Sequence, residues 1–185
     1  MPLPIAHGMM GACVLAAFPP DAGADRGLEG EWRLLLLGTL LGILPDFDYL
    51  LTWCRWMGRG WHHDFTHSIL FTALMGAAAA LLTRRHSWRA RGVFWLASLS
   101  HPLLDYVYTE SRGVELFWPF SNRRYRLGVA PPLGYDWRKD SLPDMALDIA
   151  TLCAFELAVG ASLLMLILMI REALVRARPA DQGMG

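Results

Sequence analysis

Between Met145 and Ile170 the chain runs for 26 residues with only two ionisable side chains, Asp148 and Glu156. A helix crossing a bilayer needs ~20 apolar residues at ~1.5 Å rise each, so this block is long enough to span. Four shorter apolar blocks precede it: Leu3–Phe18, Leu34–Leu51, Phe65–Thr83 and Gly92–Tyr108. Singly, each of these reads as either a short span or a buried helix of a soluble bundle. Five in series, rich in Leu and Ala, predict an all-α integral membrane bundle of about five helices. The chain is then one membrane-embedded domain, residues 1–185, with its last span at 145–170 and a tail at 171–185.

The formal net charge is zero, with 54% hydrophobic and 18% charged residues. Without a basic surplus to neutralise phosphates, no nucleic acid partner is expected. Cys13, Cys54 and Cys153 are far apart, odd in number and outside any C-x-x-C spacing. They read as small apolar packing residues, not as a disulfide or a thiolate metal site. A secretory signal is not expected, because no basic residue precedes the first apolar block and the first basic side chain is Arg26.

The predicted loops cover 19–33, 52–64, 84–91 and 109–144. The 84–91 loop, RRHSWRAR, holds four arginines and no acid, and the tail adds Arg171, Arg176 and Arg178. The positive-inside tendency assigns both to the cytoplasmic face of a membrane crossed several times, leaving the N-terminus and the 52–64 and 109–144 loops outside. Arg112, Arg123, Arg124, Arg126, Arg138 and Lys139 in the 109–144 loop pull the other way. Gly38-x-x-x-Gly42 and the Gly76–Ala80 run offer small residues for close helix contact. Pro45 ends or kinks the second helix immediately before Asp46. Pro119, Pro131, Pro132 and Pro143 make 109–144 an irregular loop and not another span.

An ionisable group inside an apolar segment costs about 3 kcal/mol or more unless it is paired, coordinated or hydrated, so each is a functional candidate. Here these are His7, Asp46, Asp48, His67, His101 and Asp105, with His62 and His63 flanking the third block. Consecutive spans alternate direction. The start of span one, the end of two, the start of three and the end of four therefore share one face, and the candidates occupy those positions. His101 and Asp105 are four apart, on one helix face where they can chelate one ion; His63 and His67 have the same spacing. The Asp-x-Asp of LPDFDYL follows a proline, and an extended turn can aim both carboxylates inward.

Mixed imidazole and carboxylate donors suit Zn²⁺, Mn²⁺ or Fe²⁺. Five or six donors exceed the need of one tetrahedral ion and point to two. Two ions ~3.5–4 Å apart clamp a phosphoester and generate a hydroxide nucleophile. His101 lies about seven residues inside its span, ~10 Å below that face at helical rise, where a lipid or isoprenoid phosphate can reach it. Asp148 and Glu156 either complete the site or pair with arginines. His86, inside the arginine loop, is solvated. Arg123, Arg124 and Arg126, beside Trp118-Pro119-Phe120-Ser121, are candidates for gripping a substrate phosphate.

Four stretches carry a resemblance: AHG at 6–8, GILPDFDYL at 42–50, HHDFTHS at 62–68 and SHPLLDYVYTESRGVELFWPFS at 100–121. In order and spacing, up to about Leu127, they resemble the YdjM-like family of bacterial membrane-bound metal-dependent hydrolases. That family is grouped with zinc-dependent phospholipase C and the single-strand-specific zinc nucleases, all-α metallophosphoesterases. Their ligand order is His, Asp, His, then H-x-x-x-D, which His7, Asp46, His67, His101 and Asp105 reproduce. The resemblance implies zinc and phosphoester hydrolysis, with Asp48 and His62 left for catalytic roles. The family commonly reads H-R-G-x-T-H-S, so His63 and Asp64 stand where Arg and Gly are usual. That argues against His63 as a ligand and for His62. Nothing after Asp105 supplies the second His-rich cluster of the soluble relatives, so a third metal is not expected.

Three other readings remain open. His63-Asp64-x-x-His67 imitates the H-E-x-x-H of a metalloprotease, with Asp105 as a third ligand. An adjacent His63-Asp64 pair is also the core of another all-α phosphohydrolase arrangement. A metal-binding transporter or scaffold would need the same polar groups without turnover.

Overall fold

The computed structural model describes residues 2–21, 27–49, 62–108, 112–129 and 141–177. Among them are five α-helices and no strand: α1 (Pro4–Ala17), α2 (Gly27–Ile43), α3 (Ile69–Leu82), α4 (Trp88–Tyr108) and α5 (Leu142–Arg176). Two 3₁₀ turns, Leu44–Phe47 and Phe65–His67, continue α2 and lead into α3. The all-α expectation holds. Cys54, Arg26, Pro131, Pro132, Arg138, Lys139 and Arg178 lie outside the described residues.

Local chemistry explains the helix limits. Pro4 opens α1, where its missing N–H costs nothing. The Ser68 hydroxyl caps α3 by accepting from the Phe71 amide at 3.0 Å. Pro45 falls in the 3₁₀ turn, so α2 stops just before Asp46 as expected. Both α2 and α5 run beyond their apolar blocks, where the i,i+4 pairs Glu29–Arg33 and Glu172–Arg176 support extra turns. α4 likewise starts at Trp88 and takes Arg89 and Arg91 into its first turn.

α5 is the one described helix long and apolar enough to cross a membrane. α1 and α3 have 14 residues each, or ~21 Å against a hydrocarbon core of ~30 Å. The second and third blocks are cut short at their polar ends, which coil into 3₁₀ turns. Residues 112–129 contain an isolated antiparallel bridge, Val114 to Tyr125, in keeping with the irregular loop expected there.

The small-residue stripes bring the helices together. Gly11 of α1 lies against the backbone of Gly38, and Gly42 lies against the backbone carbonyl of His7. A Cβ at either contact would strike main chain, which cannot swing aside. Gly76 meets the backbone of Trp95 in the same way, joining α3 to α4. Around these contacts Leu15, Leu34, Leu41, Ala79, Ala80, Ala90, Phe94 and Ala97 form the core. Cys13 is buried and Cys153 half-buried, both as free thiols, consistent with packing roles.

Glu156 has neither of the roles expected of it. Its carboxylate accepts from the amides of Leu3 (2.8 Å) and Ala6 (3.2 Å), capping α1, whose own Leu3 offers no side-chain cap. Four orphan amides at a helix start attract a carboxylate from wherever one is available. At the other end of the bundle Arg85 pairs with Asp21, Arg89 bonds the Pro19 carbonyl, and Arg171 reaches Glu31 and the Ala16 carbonyl. The arginine loop and the start of the basic tail therefore share one end, as expected, and His86 is exposed there.

Gly42→Ala should lower the unfolding temperature by the equivalent of about 1–3 kcal/mol of overpacking. Gly92→Ala, where an added Cβ meets nothing within 4 Å, should be neutral or stabilising by up to ~1 kcal/mol. Thermal unfolding in detergent compares the two, and equal shifts would remove the argument from close approach.

Candidate metal centre

Four chain segments deliver polar side chains to the end of the bundle away from those arginines. His7 comes from the first turn of α1, Asp46 and Asp48 from the turn after α2, His62, His63 and His67 from the approach to α3, and His101 and Asp105 from the last turns of α4. His7, Asp48, His63, His67, His101 and Asp105 are buried, and Asp46 is nearly so. His62 is the most open of the eight, with 18% of its side chain exposed.

Two of the imidazoles are oriented from behind. His101 Nδ1 donates to the Gly42 carbonyl at 2.6 Å, which leaves its Nε2 as a bare lone pair. The Thr66 hydroxyl donates to Asp48 Oδ2 at 2.9 Å and so accepts from His67 Nδ1, also at 2.9 Å. His67 Nε2 is therefore a lone pair as well. These two Nε2 atoms face each other at 3.1 Å. Asp46 Oδ1 lies 3.3 Å from the Nε2 of His101 and 3.7 Å from that of His67; Asp105 Oδ2 lies 3.2 Å and 3.4 Å away. With both rings neutral, four acceptors converge here.

His7 and His63 enlarge the cluster. His7 stacks on the His101 ring at 3.7 Å and sets Nε2 3.6 Å from Asp105 Oδ1. His63 Nε2 lies 3.8 Å from Asp105 Oδ2. Burial pulls the His63 imidazole down to about 3, against the opposing pull of Asp105, so it is neutral. Both nitrogens of His7, both oxygens of Asp105, Asp46 Oδ1, and the Nε2 atoms of His62 and His63 are buried without a hydrogen-bond partner. A buried cluster of this composition is one that a multivalent cation could satisfy.

The donor set fits one. Tetrahedral bonds of about 2.0–2.1 Å place ligand atoms about 3.3 Å apart, in the middle of the distances above. Groups of donors within reach of one ion are His7–His101–Asp105, Asp46–His67–His101, His62–His63–His67 and Asp46–Asp48–His62.

Asp48 and His62 form a separate unit at the edge. His62 Nδ1 donates to Asp48 Oδ1 at 3.0 Å, and Tyr49 packs on the ring at 4.0 Å. With Asp48 Oδ2 held by Thr66, this carboxylate orients two neighbours and the Nε2 of His62 stays free.

All seven residues expected as ligands or catalysts meet here. The structure adds His63, which the motif comparison set aside, and Thr66, which no spacing rule singles out. The i,i+4 spacing of His63 and His67 was the available signal for the former. His63 adopts φ +71°, a left-handed conformation costing a non-glycine residue roughly 1–2 kcal/mol. Asp64 points away and pairs with Arg124. Arg124 is also engaged by Glu115 at 3.3 Å and the Gly113 carbonyl at 3.2 Å, so its guanidinium serves a loop clamp and is not free for phosphate. Arg126 is exposed, and Arg123 lies over the Tyr125 ring. The H-D-x-x-H pattern sits on a loop and a 3₁₀ turn with its Asp facing Arg124, unlike a helical H-E-x-x-H motif.

The inner membrane protein YbcI of Escherichia coli (strain K12) is 36% identical over 104 residues, which cover 50% of this chain and 57% of that protein. The chain thus matches a little over half the length of that relative. No solved structure matches. The family model for the YdjM inner membrane protein matches residues 1–174, a stretch that contains every residue of the metal centre, and the chain belongs to the YdjM inner membrane protein family.

Proposed function

We propose that this membrane protein is a metal-dependent hydrolase of phosphoesters, with Zn²⁺ as its ion and a lipid-linked substrate. The observation that carries the reading is the convergence of His67, His101, Asp46 and Asp105 within 3.1–3.7 Å of one another in a buried cluster. His7, Asp46, His67, His101 and Asp105 are the ligands, with the two imidazoles held in the coordinating tautomer by Gly42 and Thr66. A bound divalent ion supplies Lewis-acid polarisation of the phosphoryl oxygen and an acidified water. His62 then takes a proton on Nε2, because Asp48 occupies Nδ1 and stabilises the imidazolium that forms. His62 keeps 18% of its side chain exposed while its Nε2 is buried in the cluster, which suits a group that takes a proton inside the site.

Two features support an amphiphilic substrate. An apolar cavity of about 230 Å³ between α1, α4 and α5 is lined by Ala6 and Leu104, the chain neighbours of His7 and Asp105, together with Met9, Tyr108, Leu152 and Phe155. Its α5 wall belongs to the membrane-crossing helix, so the occupant it suits is an acyl or prenyl tail. The arginines gathered at the far end favour that end for the cytoplasm and hence an outward-facing site, the shorter helices completing a multi-pass bundle. Arg126, exposed on the loop that follows the Trp118–Ser121 turn, is a candidate for holding the substrate phosphate.

Elemental analysis of purified protein, alongside a panel of lipid phosphates and soluble phosphoesters, tests the reading. His101→Ala and Asp105→Ala should lose both metal and turnover. His62→Gln and Asp48→Asn should keep the metal and lose about 10²–10⁴-fold in turnover. A metal-replete wild type that cleaves nothing on the panel would replace hydrolysis with metal binding or transport. For orientation, a single cysteine at Ser87 in a cysteine-free background should react with a membrane-impermeant maleimide only after the cells are opened; labelling of intact cells would reverse the placement.

A further inference from the structure

We propose that His63 is itself a metal ligand and that, with His67 and the Asp105 carboxylate, it builds a second cation position beside the one held by His7, Asp46 and His101. The inference rests on the metal-centre reading above and adds the residue that completes the second position.

The argument starts from the geometry of Asp105. Its Oδ1 faces His7 at 3.6 Å, while its Oδ2 lies 3.2 Å from His101, 3.4 Å from His67 and 3.8 Å from His63. His7 thus meets one oxygen and His63 the other, so this carboxylate is placed to bridge two ions. His67 can serve only one ion, because Nδ1 is committed to Thr66. If it turns to the His63 side, His7, His101 and Asp105 still form a donor group on the other, with Asp46 Oδ1 3.3 Å from His101. His63, His67 and Asp105 make three protein ligands with a fourth position open, as hydrolytic zinc sites have. His62, within reach of His63 and His67, stands beside that open position with its Nε2 free.

Nothing in a packing role accounts for His63. Its side chain is 5% exposed and its Nε2 has no hydrogen-bond partner. A histidine buried only to fill space would have that nitrogen satisfied. The chain instead holds it there from outside. The His63 carbonyl accepts from the Glu115 amide at 3.0 Å, and the next residue, Asp64, is gripped by Arg124, which Glu115 and the Gly113 carbonyl fix in turn. This clamp keeps the backbone at φ +71°, a conformation that turns the imidazole inward.

Full-length protein in detergent, stripped with a chelator and titrated with Zn²⁺ alone, tests the assignment by equilibrium dialysis and elemental analysis. Co²⁺ absorption gives an independent view of each position. His63→Gly removes the imidazole and also relieves the positive φ, so its metal-free unfolding temperature should equal or exceed that of wild type; His63→Gln serves as the second variant. Wild type should bind two equivalents, and both variants one, with the Co²⁺ spectrum of one position lost. Two equivalents in both variants would overturn the ligand role. A single equivalent in wild type would overturn the second position and leave the first intact. No bound metal in wild type would overturn the centre as a whole, along with this inference.

Discussion

The hydrogen bond from His101 to the Gly42 carbonyl ties the site to the bundle. Gly42 is near the end of α2, where carbonyls run out of partners within the helix, and Pro45, three residues on, has no N–H to offer. Its lack of a side chain lets the backbone of His7 close against it. One residue thus joins α1 to α2 through van der Waals contact and α2 to α4 through a hydrogen bond. It also decides which nitrogen of His101 faces Asp46 and Asp105. Two of the proposed ligands, His7 and His101, are set by the same short piece of main chain.

That economy has an energetic consequence. Buried polar groups are tolerated when their partners are present, and here the partners have been used to expose lone pairs and not to satisfy them. Gly42 and Thr66 take the Nδ1 side of each central imidazole, which turns both Nε2 atoms toward Asp46 and Asp105. A cation that binds the folded site and not the unfolded chain then contributes folding free energy as well as chemistry. The Glu156 cap works the other way: it stabilises the start of α1, one turn from His7, with a carboxylate that is fully engaged and draws nothing from the metal.

Much of this was legible in the sequence, for a reason of topology. Alternating helices bring the ends of successive elements together, and His7, Asp46, His67, His101 and Asp105 were all at the matching ends. Charges in apolar runs are rare enough to stand out. The lengths of the helices were less legible, because an apolar run does not say where a 3₁₀ turn will replace the helix; Leu44–Phe47 and Phe65–His67 look like helix by composition. Partners brought in by tertiary structure were not legible at all. Glu156 lies 150 residues from Ala6, and no local rule connects a mid-helix glutamate to the cap of another helix. Arg124 looked like a free basic group because the acids that occupy it, Asp64 and Glu115, are distant or out of phase along the chain.

His63 and Asp64 show what motif comparison leaves out at one position. Judged against the usual Arg-Gly pair, each looks like an unrelated substitution. In the fold they are one unit. Asp64 gives Arg124 a carboxylate to hold, Arg124 is braced by Glu115, and the Glu115 amide bonds the carbonyl of His63. A glycine at position 64 would leave Arg124 without that partner and the loop without its anchor. Arginine at 63, long and charged, would have to leave the pocket that the imidazole fills among buried acceptors. A change at one position therefore makes physical sense only with the other, and the polar density of HHDFTHS follows from the clamp outside it as much as from the metal inside.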